Sequence, residues 1–139
     1  MSGEGEAIQA RLVVVREALT RLHKTLLDSE RIGYEQTFGS VGSTGEFLQL
    51  VIQDPWFAWL RPISELIVLI DQTLDDEAPV TTEAANALLK TARTLLIATE
   101  TGHGFSKHYF DALQRDPDVV LAHAGVARAL NPAKGRAKP

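Results

Sequence analysis

Between residues 6 and 37 the apolar side chains Ile8, Leu12, Val15, Leu19, Leu22 and Leu26 return at steps of four, three, four, three and four. A strand would place apolar groups at every second residue; this spacing keeps them on one side of an α-helix. No proline interrupts the run, so one long helix is predicted there. Val13 and Val14 widen the stripe, and a second covered surface on the same helix is expected at that point. Gly39-Ser40-Val41-Gly42-Ser43 is the first break.

The remaining segments carry helix starts and stops. Ser43 followed by Glu46 matches a capping box, with Phe47, Leu48, Leu50, Val51 and Ile52 behind it, so a short helix is expected. Asp54-Pro55 ends that helix and opens the next, because aspartate suits the N-cap and proline the first helical position. The predicted stripe of this next helix is Trp56, Leu60, Ile63, Ile67, Ile70 and Leu74, with Phe57 and Trp59 flanking it. Pro62 lies past its first turn and predicts a kink or a split. After the acidic turn from Asp75 to Val80, Thr81 or Thr82 caps a helix expected to reach about Thr101. Its predicted stripe is Ala84, Leu88, Thr91, Leu95 and Thr99. Leu89, Leu96 and Ile97 make it apolar over much of its circumference, which suits a central helix or an oligomer interface. Ser106 caps a short helix to about Gln114, and Asp116-Pro117 opens the last one, to about Ala129. No strand pattern and no internal repeat is found. The expected fold is all-α, an antiparallel helical bundle of four main helices plus two short helices. It forms a single domain over residues 1–130, followed by a flexible basic tail over 131–139.

Composition narrows the function classes. With 139 residues, 45% of them hydrophobic, the chain can bury an ordinary core without staples. It has no cysteine, so disulfides, thiolate metal sites and thiol nucleophiles are excluded. The net charge of −4 argues against nucleic-acid binding. The charge is uneven: Arg128, Lys134, Arg136 and Lys138 close the chain without an acid among them, after 10 basic and 18 acidic residues. Such a tail suits an anionic partner, although a solvated terminus is the plainer reading. Met1 to Glu6 lacks the basic start and apolar core of a signal peptide. No apolar run approaches the roughly 18 residues of a membrane span. A cytoplasmic protein with neither nucleic acid nor membrane as partner is expected.

The densest local feature is Asp54-Pro55-Trp56-Phe57-Ala58-Trp59-Leu60-Arg61-Pro62, which holds both tryptophans. It reads as a packed aromatic layer at the bundle's end, or as an aromatic pocket or partner surface with Arg61 free for a carboxylate or phosphate. Asp54 to Leu66, D-P-W-F-A-W-L-R-P-I-S-E-L, resembles a motif of a family of small, uncharacterised bacterial proteins. Leu22 to Arg31, L-H-K-T-L-L-D-S-E-R, and Tyr34-Glu35 after it are similar to the same family. The resemblance covers roughly Leu19 to Asp71. It implies a bacterial source and an all-helical domain, and it implies no activity.

Projected at 100° per residue, His23 and Glu30 fall on the buried side of the first helix or its edge, and Asp71 near the stripe of the third. Inward polar groups need partners. An internal network of His23, Glu30, Asp71 and Tyr34 would satisfy them; a metal site would do so too. Di-iron bundles, however, need two Glu-x-x-His pairs, and this chain has Glu100-Thr101-Gly102-His103 once, across a glycine. Nothing selects haem, and no phosphate loop, dinucleotide fingerprint or nucleophile elbow is present. Gly39 to Gly45 is glycine-rich but joins two helices, so it reads as a linker. No cofactor, no metal and no catalytic residue are therefore expected.

Three function classes remain. The first is a non-enzymatic interaction or regulatory protein, acting through self-association as a homodimer or through a protein partner. The second is a small-ligand or metal-binding bundle with a pocket near the tryptophan segment. The third, ranked last, is an enzyme using His23 with Glu30 or Asp71 as acid and base. The residues expected at a ligand or partner site are Trp56, Trp59, Arg61, His23, Glu30 and Asp71. If a pocket lies there, Trp59→Ala is expected to change ligand binding more than stability.

Overall fold

The long apolar stripe forms α1, Ser2–Phe38, in the computed structural model, which describes residues 2–131. The basic tail expected over 131–139 thus lies, from residue 132, outside the described residues. Leu12, Val15, Leu19, Leu22 and Leu26 are wholly buried, and Ile8 is half-buried. Burying each of these leucines is worth about 1.5–3 kcal/mol, far more than helix propensity supplies. Gly39 ends the helix at φ 98°, a conformation that only glycine adopts freely, with its N–H donating to the Glu35 carbonyl at 2.9 Å.

Helix α2 covers Thr44–Gln53. The Ser43 hydroxyl accepts from the Glu46 N–H at 3.1 Å, as the capping pattern requires. Asp54 then caps a short 3₁₀ helix, Pro55–Leu60, by accepting from the Trp56 N–H at 2.9 Å. Helix α3, Arg61–Asp75, follows with Pro62 in its first turn. The single helix expected from residue 55 is therefore split, because Pro62 has no N–H to donate and its ring crowds the preceding turn. The 3₁₀ winding has three residues per turn, so positions three apart eclipse. Phe57, Leu60 and Ile63 line up and are almost fully buried, whereas Trp56, expected on the stripe, is only half-buried.

Helix α4 covers Thr82–Leu95, capped by Thr81, whose hydroxyl accepts from the Ala84 N–H at 3.0 Å. Its buried residues are Ala85, Leu89 and Ala92, continued by Leu96. That stripe is one residue, or about 100°, away from the expected Ala84, Leu88, Thr91 and Leu95. Ala85 and Ala92, both at 0% exposure, let α4 approach its neighbours closely, and Thr91 turns outward with its hydroxyl donating to the Ala87 carbonyl. The helix also stops at Leu95, short of Thr101. Threonines at 99 and 101 and glycine at 102 are poor helix formers, and the chain runs irregularly to Gly104, with the Thr99 N–H donating to the Ser106 carbonyl at 3.3 Å. Helix α5 is Phe105–Arg115, and its N-cap is Gly104 rather than the expected Ser106. Helix α6 is Pro117–Leu130, capped by Asp116 accepting from the Asp118 N–H at 2.9 Å. All six α-helices fall where helices were predicted, and no strand occurs among the described residues.

Helix α1 is the common partner: α3, α4, α6 and the 3₁₀ helix all pack on it. At the far end of α6 the Leu130 carbonyl accepts from two guanidinium groups, Arg11 of α1 at 2.6 Å and Arg93 of α4 at 2.7 Å. These bonds satisfy a carbonyl that has no partner within its own helix, and they place positive charge at the negative end of its dipole.

Candidate functional site

The six residues singled out by sequence are dispersed over several environments. Glu30 is 8% exposed and inward, as projected, but its partner is Arg115 at the end of α5. The same guanidinium donates from Nε to the Ser29 hydroxyl at 3.2 Å, and Ser29 is also buried. Asp71 pairs with Arg16 of α1 at 3.1 Å, half exposed. His23, Glu30 and Asp71 therefore form no common network; each faces a different element. No group of three or more histidines, aspartates or glutamates able to hold a metal ion occurs among the described residues.

The tryptophans sit in two aromatic clusters. Trp56 meets the edges of Tyr34 and Phe38, with ring centroids 5.9 Å away in each case. Its ring also approaches the α1 backbone at Gly33, where an added Cβ would stand 3.3 Å from Cζ2. Trp59 stacks on His108 at 5.2 Å and 16°, and leans on Phe105 at 5.4 Å. Neither indole N–H has an acceptor among the described residues. Both tryptophans thus act mainly as packing groups on the flanks of the 3₁₀ helix, while Phe57 takes the buried position between Tyr34 and Phe47.

His23 and Arg61 do come together. They border a half-enclosed cavity of about 210 Å³, also lined by Val51, Ile52, Phe57, Leu60 and Ser64. Four elements meet there: α1, α2, the 3₁₀ helix and the start of α3. Burial holds the His23 imidazole below its ordinary pKa of 6.5, so it is neutral at pH 7. Arg61 is exposed at the rim and has no ion-pair partner among the described residues. No tryptophan lines this cavity.

One polar pair was not anticipated. Tyr109 of α5 is fully buried, and its hydroxyl lies 2.6 Å from His123 Nδ1 on α6. The phenol has no other partner among the described residues, and which of the two groups donates is set by the imidazole tautomer. Burial pushes the phenol well above its ordinary range and the His123 imidazole below its own. The partners are fourteen residues apart on different helices, so no local pattern announces them. A tyrosine with no exposed surface cannot meet a substrate, and the pair reads as a satisfied core contact.

These histidines set a pH dependence. Unfolded, each imidazole takes up a proton near 6.5; folded, each does so only at lower pH. The unfolded state binds more protons just below 6.5, so stability falls as pH drops from about 6.5 toward the native values. Urea midpoints measured from about pH 7 to pH 5 should decline steadily, and His23→Gln should flatten part of that slope. A midpoint constant over this range would contradict the burial of both rings.

A long surface groove lies along α1 and α6. Two adjoining depressions share Arg21, Gly125 and Arg128 and together run from Ala7 to Ile32. Arg128 and Ala129 lie beside Ala10 and Val14 at one end; Asp116, Asp118 and Leu121 lie beside Asp28 and Ile32 at the other. Val14 is 51% exposed, Ile32 58% and Leu121 70%. Val14 was expected to lie under a second surface, and no described residue of the chain covers it. No helix among the described residues is long and apolar enough to cross a membrane. Set against protein-family models, curated proteins and solved structures, the chain matches none.

Proposed function

We propose that this chain is a non-enzymatic interaction protein, an antiparallel bundle of four main helices that self-associates as a homodimer through its α1–α6 face. The observation that carries the reading is the continuous groove with Val14, Ile32 and Leu121 exposed along it. Leaving three large apolar groups in water on one face, among alanines and glycine, forgoes burial worth about 1.5–3 kcal/mol each.

Charge favours a second copy as the occupant. Toward Ala7 the groove carries Arg11 and Arg128 together with Glu17; toward Ile32 it carries Asp28, Asp116 and Asp118, and Arg21 lies where the two depressions meet. A two-fold axis across the middle of the groove sets the Arg128 end of each copy against the acidic end of its partner. The size is adequate as well. From Ala7 to Ile32 the face is about 38 Å long and, being two helices across, about 20 Å wide. That is on the order of 800 Å² per copy, the area of a standard stable interface.

The test is sedimentation velocity at micromolar concentration. The chain is expected to run as a dimer, and Leu121→Asp as a monomer with an unchanged thermal midpoint, because an exposed position contributes within about 0.5 kcal/mol to folding. Arg128→Glu should weaken association and reduce its dependence on salt. A monomeric wild-type chain at high micromolar concentration would refute the proposal.

A further inference from the structure

The cavity between α1, α2, the 3₁₀ helix and α3 lies apart from the α1–α6 face. Its wall is apolar at Val51, Ile52, Phe57 and Leu60 and polar only at His23, Ser64 and Arg61. Ser64 is already committed, its hydroxyl donating to the Arg61 carbonyl at 3.0 Å. His23 and the Arg61 guanidinium make no hydrogen bond or ion pair to another described residue, whereas Arg11, Arg16, Arg31, Arg93 and Arg115 each do. No aspartate or glutamate lines the cavity.

We propose that this cavity is a binding site for a small monocarboxylate with an apolar tail, held by the Arg61 guanidinium at the rim, with the His23 imidazole as a hydrogen-bond donor.

One fixed cation beside a neutral ring matches one negative charge, and the guanidinium fork matches a carboxylate. The volume sets the tail. At about 30 Å³ for each water-sized group, the cavity holds about seven such groups. It falls below the roughly 300–1,000 Å³ of sites for drug-sized ligands. A straight chain of about six or seven carbons, or a single aromatic ring, fills it.

The experiment is an amide-resolved NMR titration of the full chain with the straight-chain carboxylates from acetate to decanoate. Saturable shifts are expected at His23, Val51, Phe57, Arg61 and Ser64. Affinity should rise about fourfold per added methylene and level off once the cavity is full. The matching alcohols should bind about tenfold more weakly, and Arg61→Gln should lose about tenfold for the acids alone. Arg61 is exposed, so this variant is expected to fold; an unchanged spectrum away from the cavity checks it. Absence of saturable shifts for every acid would overturn the proposal. So would equal binding of acids and alcohols, or full affinity in Arg61→Gln. Inorganic phosphate producing the same shifts with higher affinity would overturn the assignment of ligand class.

Discussion

Phe57→Ala should destabilise the fold by about 3–5 kcal/mol. Phe57 is 2% exposed and is held by Tyr34 at 5.7 Å and Phe47 at 5.6 Å. Its position follows from the 3₁₀ winding, which stacks it over Leu60 and Ile63. Removing the ring deletes contacts with α1, α2 and α3 at once, and the adjoining cavity grows instead of closing. Thermal and urea unfolding would read the effect directly, as a midpoint lower by roughly 10–15 °C. Trp59→Ala should cost less, since Trp59 is half-buried and rests on the flank against His108 and Phe105. Equal losses for the two variants would show that the segment is organised around its tryptophans and not around Phe57.

Arg115→Ala should cost about 2–3 kcal/mol, for a different reason. The Glu30 side chain is only 10% exposed, and Arg115 is its charged partner. Truncating the arginine removes a hydrogen bond to Ser29 as well, but the larger penalty is a carboxylate left buried and unpaired. Arg115 itself is 45% exposed, so the figure sits below that of a fully buried pair. Glu30→Gln should cost less than Arg115→Ala, because a neutral amide is cheaper to leave in that position. The double variant should recover much of the loss, and a double-mutant cycle by urea unfolding measures the coupling. Strict additivity of the two changes would show that the pair contributes nothing to stability.

The contrast between these residues shows what local sequence could reveal. The stripe of α1, the caps at Ser43, Asp54, Thr81 and Asp116, and the break at Gly39 were legible because each depends on residues within about one helical turn. The inward tilt of Glu30 was legible in the same way. A projection about one helix axis gives a direction, however, and does not say what lies in it. Arg115 is 85 residues from Glu30, and Arg93 is 37 from Leu130, so neither partner leaves a mark in the neighbouring sequence. The register of α4 was misjudged for a related reason. Two candidate stripes lay one residue apart, and close packing at Ala85 and Ala92 decided between them. Of the expected site residues, His23 and Arg61 meet at one cavity, because the 3₁₀ helix and α3 carry Arg61 to α1. Trp56 and Trp59 went to separate clusters once the winding of their segment changed from 3.6 to three residues per turn.

The grip of Arg11 on the Leu130 carbonyl joins residues 119 apart. A ribosome adds about 5–20 residues per second, so α1 is complete for roughly 5–18 s before the helix that covers it is finished. Throughout that interval its row of leucines has no α6 to lie against. A nascent chain in this state is a natural client for chaperones that hold apolar segments. The slow step in its maturation is the meeting of its two most distant helices, whose closure carries the largest entropic cost in the fold.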